Sequence, residues 1–341
     1  MDTGENQHDN VRAKRRAFRA LLARDKLTVM PGGFSPLYAR LAQEAGFEAF
    51  FVAGSQLSNV LYGVPDNGLV GLREVADHAR FVAQRTDIPI LIDADTGFGN
   101  AINVYYAVQE IARSGAAAMQ IEDQEAPKKS GTVAGRRCIS IDEAVGKYRA
   151  AVAARDTIDP EFVICARCDL LGAEGSSFDE AIERCRAYMQ DGGVDFVWLN
   201  SVQTREQVRR ACAEIPGPVL VIWGGEGTAP SPEEYESLGV RIALYPTFTS
   251  TFAIQAVWQL LNDFRERGPA ALAERSAAAK ASKWGVIDKK RMLGGQDIRA
   301  LEERFLEADA KRDYDQTWGH RITFEREGHR DATNQSDTTK K

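Results

Sequence analysis

The chain has 341 residues, 44% hydrophobic and 27% charged, which are globular proportions and room for one large domain or two ordinary ones. A net charge of −6 without a concentrated basic stretch argues against a nucleic-acid binder. Apolar runs no longer than a strand argue against a membrane span; five cysteines with no apolar leader ahead of them point to free thiols in a reducing cytoplasm.

In chain order, residues 1–10 are polar and expected to be disordered. Residues 11–24 read as a basic amphipathic helix with Phe18, Leu21 and Leu22 on one face, capping the bottom of the domain. A strand at Leu27–Met30 and a turn at Pro31-Gly32-Gly33 lead to a helix with Ser35 as N-cap and Pro36 at its first position; Gly46 ends it. A regular alternation follows. Strands are expected at Phe47–Ala53, Pro89–Asp95, Ala116–Asp123, Phe162–Asp169, Val194–Leu199, Pro218–Trp223 and Arg241–Tyr245. Helices are expected at 72–85, 100–114, 141–155, 177–190, 203–213, 231–238 and 249–266. Beyond residue 268 come an Ala-rich helix at 269–283, a charged helix at 296–311 with Leu301 and Phe305 as its apolar positions, and a polar tail at 327–341, expected to be disordered.

The strands are near-continuous apolar runs, as parallel strands covered on both faces must be. Eight strand–helix units imply an α/β (β/α)8 TIM barrel over 11–267, with a C-terminal helical extension over 268–326. A doubly wound sheet is the second choice, weakened by the lack of G-x-G-x-x-G after the first strand. Cys165 and Cys168 form a C-x-x-C within a strand, so they face opposite sides and do not share a metal.

Barrel chemistry sits at the C-terminal strand ends. Those ends carry Gly54, Ser55 and Gln56 with a loop bearing Asp66, then Asp93 and Asp95, Glu122 and Asp123, Arg167 and Asp169, Asn200 and Ser201, and Trp223 with the 224–227 Gly-Gly-Glu-Gly loop. Asp93 and Asp95, one residue apart, point to the same side of their strand. Two charges about 5–7 Å apart repel by roughly 2–3 kcal/mol at an effective dielectric of about 20, so a cation, a shared proton or open water must offset them. Carboxylates from several strands without histidine favour Mg²⁺ or Mn²⁺.

The segments Asp-Ala-Asp-Thr-Gly-Phe-Gly-Asn (93–100), Ile-Glu-Asp-Gln (121–124), Pro-Lys-Lys-Ser-Gly (127–131), Ala-Arg-Cys-Asp (166–169) and Ala-Leu-Tyr-Pro (243–246) together resemble the isocitrate lyase / phosphoenolpyruvate mutase superfamily. The resemblance spans roughly residues 20–265. It implies a metal held by Asp93, Asp95 and Glu122, with Asp66 near the metal's waters, and a small 2-oxo or 2-hydroxy carboxylate as substrate. Gly54, Ser55, Gln56, Arg167 and Asn200 would hold the substrate, and Lys128, Ser130, Arg167 and Asp66 would carry catalysis; the second choice for Arg167 is an ion pair with a barrel acid. Lys128, Lys129 and Ser130 would ride on a closing loop at 124–139, and the extension implies a helix-swapped homo-oligomer with Trp284, Trp318 and Phe324 as candidate anchors. Trp223 and Tyr62 are candidates for the pocket wall.

Departures separate the branches. Superfamily members that cleave isocitrate or methylisocitrate have a catalytic Cys where this chain has Ser130, a glutamate at Asn200 and an asparagine at Ile222. A serine needs a base beside it, and His8, His78, His320 and His329 all lie away from the strand ends. The mutases and phosphonopyruvate hydrolases have a lysine at Gln124 and a histidine at Asn200. The decarboxylase-like branch also lacks the Cys and shares the stretches 99–104 and 143–151. The expected function is Mg²⁺-dependent carbon–carbon cleavage through an enolate, by decarboxylation or retro-aldol chemistry, with P–C chemistry and a non-catalytic metabolite-binding barrel as alternatives.

Overall fold

The computed structural model describes residues 3–313 except Glu174, with side chains from Asp9 onward apart from Gln296. Residues 314–326, with Trp318 and Phe324, and the expected tail at 327–341 lie outside the described residues. The chain divides into two compact units, residues 1–261 and 262–341.

In the first unit, eight parallel strands close into a barrel in sequence order, with β8 returning to β1. They are β1 (Thr28–Gly33), β2 (Phe50–Val52), β3 (Ile90–Asp93), β4 (Ala118–Glu122), β5 (Val163–Cys168), β6 (Phe196–Val202), β7 (Val219–Trp223) and β8 (Ile242–Tyr245). The helices are α1 (Thr3–Ala23), α2 (Pro36–Glu44), a single turn α3 (Gly54–Gln56) running into a π-helical turn (Leu57–Leu61), α4 (Leu72–Ala83), α5 (Ala101–Arg113), α6 (Ile141–Ile158), α7 (Phe178–Gln190), α8 (Arg205–Glu214) and α9 (Pro232–Ser237). Helix α10 (Phe248–Arg267) runs across the division between the units. The second unit holds α11 (Pro269–Ala281), α12 (Lys289–Met292) and α13 (Gly295–Phe305). Ser35, Asn100, Ser140, Ser177, Thr204 and Ser231 each accept an N–H of the helix they precede, which fixes where each loop hands over to a helix.

Alternation along the strands sorts the core into two layers. Met30, Phe51, Leu91, Cys165, Phe196, Trp198, Leu220, Ile242 and Leu244 fill the barrel, and Phe18, Leu21 and Leu22 of α1 pack with them. Phe50, Ile92, Ile121, Ile164, Cys168 and Leu199 belong to the outer layer under the helices. The predicted separation of Cys165 from Cys168 is therefore observed, and all five cysteines are free thiols.

The basic character of α1 also has a local cause. Lys14 Nζ donates to the carbonyls of Ala83 (2.8 Å) and Thr86 (2.7 Å), and Arg15 donates to Ala112 and Ala116 and pairs with Asp159 at 2.6 Å. These cations satisfy carbonyls left over at the C-terminal ends of α4 and α5.

Several sequence expectations need correction. Described residues from Thr3 onward are helical rather than disordered. Pro31-Gly32-Gly33 is not a turn but the end of β1, with Pro31 paired to Tyr245 and Gly32 to Phe51. A Cβ on Gly32 would lie 2.4 Å from the Pro246 carbonyl, so glycine is there for close backbone approach. The turns at 54–61 and α12 were not foreseen, and the charged helix expected to reach residue 311 ends at Phe305. Among the described residues no helix is long and apolar enough to cross a membrane.

Phe18 is fully buried among barrel side chains, so Phe18→Ala should destabilise the protein by about 3–5 kcal/mol. A denaturant midpoint unchanged from the parent would show that α1 does not seal the barrel.

Candidate active site

The two acids that end β3 reach the mouth by different routes. Strand geometry stops at Asp93; Asp95 follows in the left-handed region at φ 46°. Simple alternation along one strand, the basis of the sequence expectation, therefore does not place Asp95. The backbone turns to aim it, with the Asp95 N–H donating to Asp93 Oδ1 at 3.2 Å. Asp93 Oδ2 accepts the Gly54 N–H at 2.9 Å, and Gln120 also donates to Oδ1. A Cβ on Gly54 would sit 3.0 Å from Asp93 Oδ2 and 3.2 Å from Asp95 Oδ1, so a side chain there would press on both carboxylates. The Gly54 amide expected to hold substrate is thus engaged by Asp93.

Lys128 is buried between Asp66 Oδ1 (2.5 Å) and Asp95 Oδ1 (2.8 Å), whereas Lys129 is exposed. Arg167 lies 3.2 Å from Glu122 Oε2 and 3.1 Å from Asp169, and stacks 4.4 Å from the centre of the Trp198 ring. The ion pair weighed for Arg167 is present, and the same residue lines the central cavity. Asp169 also accepts from Gln124 (2.8 Å), Arg136 (3.2 Å) and Asn200. Asp123 is structural: it accepts the Asp169 N–H (2.8 Å) and the Tyr188 hydroxyl (2.7 Å) and lies 3.5 Å from Arg184.

Burial sets the electrostatics. Desolvation, with Asp93 and Asp66 adding and Lys128 opposing, raises the Asp95 carboxyl to about 6. Burial pushes Glu122 well above the ordinary carboxylate range against the pull of Arg167. Burial alone would lower Lys128, but Glu122, Asp95, Asp93 and Asp66 more than reverse it. Asp169 is driven up by burial but held below its ordinary value by Arg167 and Arg136. Six buried acids (Asp66, Asp93, Asp95, Glu122, Asp123, Asp169) face five buried cations (Lys128, Arg136, Lys147, Arg167, Arg184), a surplus of one negative charge when all are ionised.

The 124–139 loop is tied down over this cluster. The Gln124 amide donates to the Lys129 carbonyl (2.9 Å) and accepts its N–H (3.0 Å). The Gly131 carbonyl accepts from Arg136 (2.5 Å), Asn200 (3.0 Å) and Ser201 (3.3 Å). A Cβ on Gly131 would fall 2.0 Å from Arg167 Nη2, so this position admits no side chain while the loop is down.

A cavity of about 630 Å³ opens at the mouth, lined by Ser55, Gln56, Asp66, Asp93, Lys128, Ser130, Arg167, Asn200 and Trp223 among others. Most expected site residues thus come together. Asp95 lines a neighbouring cavity of about 600 Å³ on the other side of Lys128, and Glu122 lies beneath Arg167. Tyr62 is 47% exposed and does not line the central cavity, contrary to expectation. The 224–227 loop does not line it either: Gly225 is packed against the Gln203 carbonyl. Gln120, Arg136 and Trp198 were missed. Gln120, a lone polar residue in the apolar run of β4, was the available signal.

The oxygen donors, the charge surplus and Glu122 Oε1, buried without a hydrogen-bond partner, fit a hard divalent cation. Among the described residues no three acid, His or Cys side chains close on one point as they stand, because Lys128 lies between Asp66 and Asp95 and Gln120 lies on Asp93.

A family model described as phosphoenolpyruvate phosphomutase matches residues 18–265. The chain is 39% identical over 262 residues to a probable 2-methylisocitrate lyase 1 of Corynebacterium glutamicum, covering 76% of this chain and 84% of that one. It is 34% identical to an oxaloacetate decarboxylase of Chromohalobacter salexigens, covering 84% and 95%. A phosphonopyruvate hydrolase solved with oxalate and Mg²⁺ superimposes with a TM-score of 0.74 at 30% identity, over 86% of this chain and 99% of that one.

Removing Lys128 leaves two buried acids uncompensated, so Lys128→Met should lower metal-free stability at pH 7.5 by about 3–5 kcal/mol. Asp95's folded pKa, about 6, lies above its unfolded value of about 3.9, so its protonation favours folding at low pH and that contribution is lost as pH rises through this window. Lys128 holds the Asp95 carboxyl down, so without it Asp95 titrates above the parent's value, and the deficit of the variant should shrink as pH falls from 7.5 toward 6. Unfolding curves in EDTA at several pH values check this; a pH-independent deficit would contradict the pairing.

Proposed function

This chain belongs to the phosphoenolpyruvate phosphomutase family, and from that premise we propose that it is a Mg²⁺- or Mn²⁺-dependent lyase that breaks a carbon–carbon bond in a small 2-oxo or 2-hydroxy dicarboxylate. The observation that carries the metal is the charge balance. A dianionic substrate entering a buried mouth whose acids outnumber its cations would be repelled, and a divalent cation that keeps those acids ionised offsets the excess.

Asp93, Asp95 and Glu122 would hold the ion, with Asp66 beside it. Bound there, it supplies the positive charge that a developing enolate oxygen needs. The chain's own residues do the rest. Glu122 and Asp169 fix the Arg167 guanidinium, which is aimed at a substrate carboxylate, and the Asn200 amide and Ser55 flank it. Ser130 and the buried Lys128 bring the loop to the substrate and exclude water.

In decarboxylation the electron pair of the breaking bond passes into the enolate, CO₂ departs, and the carbon takes up a proton. No strong base is required. Retro-aldol cleavage must also remove a hydroxyl proton, and Ser130 has no histidine beside it among the described residues, so the residues favour decarboxylation. Gln124 and Asn200, both bound to Asp169, stand where the P–C branch carries lysine and histidine, which disfavours that chemistry. A binding barrel without turnover is disfavoured because a retired site has no use for surplus buried charge.

The free cysteines are in keeping with a cytoplasmic enzyme. In the first unit α10 presents Phe252 (70% exposed), Ile254, Val257 and Leu261 to solvent, which supports a homo-oligomer. Light scattering should return a dimer or larger; a monomer at micromolar concentration would contradict this.

Pyruvate release from oxaloacetate, phosphonopyruvate and 2-methylmalate, with and without EDTA, tests the reading. Turnover of a carbon–carbon substrate should vanish in EDTA. Asp95→Asn should lower kcat/KM on the order of 100-fold or more, several kcal/mol of charge stabilisation. Unchanged activity in the variant would remove Asp95 from the site.

A further inference from the structure

The barrel mouth is chemically two-sided. Strands β3 to β5 end in charged inward residues, Asp93, Glu122 and Arg167, and Asn200 of β6 adjoins them. The rest of the cavity is different. Its floor is Phe51 of β2, Trp198 of β6, Ile222 of β7 and Leu244 of β8, and Trp223 and Tyr245 stand above them as a wall. Phe51 and Trp198 are locked edge to face with ring centres 5.5 Å apart, so the floor is rigid. Phe51, Trp198 and Leu244 are almost wholly buried inside the barrel and Arg167 lies over the Trp198 ring, so the apolar surface left to the cavity is chiefly that of the half-buried Ile222, Trp223 and Tyr245.

A four-carbon dicarboxylate has no apolar group to place on that surface. Its carboxylates and its oxygen at C2 belong with the charged half. The cavity, about 630 Å³, lies in the range that holds drug-sized ligands. Resting on the lyase reading above, we infer that the preferred substrate is a 2-oxo or 2-hydroxy diacid carrying an apolar branch of three or more carbons at C3, and that Ile222 is a specificity-determining residue for that branch. Ile222 is the inward residue nearest the end of β7, level with Leu244 of β8 and with the 200–201 stretch of β6, and the Asn200 amide there is already engaged by Asp169 and Gly131, so a polar side chain at 222 would meet the branch without a free partner for its own hydrogen bonds.

Two measurements test this. In the first, kcat/KM with Mg²⁺ is compared for oxaloacetate and its 3-methyl, 3-propyl and 3-butyl derivatives. It should rise about fourfold per buried methylene, and Ile222→Asn should reduce the ratio of 3-butyl to unsubstituted substrate at least tenfold. In the second, calorimetry compares malonate with n-butylmalonate in the presence of Mg²⁺, without turnover; butylmalonate should bind roughly 200-fold tighter, four carbons on the same scale. Turnover of oxaloacetate with no gain from the alkyl branch, and equal binding of the two malonates, would overturn the inference and leave the lyase reading standing. Tighter binding of butylmalonate with no turnover of any diacid would sustain the cavity's preference for an apolar branch and overturn the lyase reading.

Discussion

Everything at the barrel mouth answers to one constraint, the burial of more negative than positive charge. Lys128 meets part of it by placing an ammonium between Asp66 and Asp95, and Arg167 meets part by lying between Glu122 and Asp169. Neither can move without leaving an acid unpaired in low-dielectric surroundings, a penalty that no single hydrogen bond formed elsewhere offsets. The cluster therefore holds its own geometry, and an excess of buried acid over buried cation remains.

The same charges organise the loop above them. Asp169 collects Arg167, Arg136, Gln124 and Asn200, and two of these, Arg136 and Asn200, also take the Gly131 carbonyl. Loop position and strand-end geometry are thus parts of one hydrogen-bond network rather than separate features. A substitution at Gln124 or Asn200, the positions at which the family's branches differ, acts on this network and so on where the loop lies, besides any contact it makes with substrate.

Much of this was legible in the sequence. The barrel could be read because each strand is a short apolar run and each helix starts at a polar cap such as Ser140 or Thr204, both local properties. The acids could be collected because the ends of barrel strands converge wherever the chain goes between them. Asp95 shows the limit. Alternation put it beside Asp93 for the wrong reason; a left-handed backbone places it, which no residue pattern announced. Lys128 and Lys129 were indistinguishable as neighbours in a loop, yet one is buried among acids and the other exposed.

Sequence alone determined the barrel, the family and which carboxylates stand at the strand ends, because periodicity, capping and residue identity are carried by the chain itself. Tertiary structure alone decided the pairing: which cation compensates which acid, that Gly54 serves Asp93, that Gly131 lies against Arg167, and that one half of the mouth is apolar. Those are contacts between residues tens of positions apart. Their energies depend on distance and desolvation, which exist only once the strands have closed.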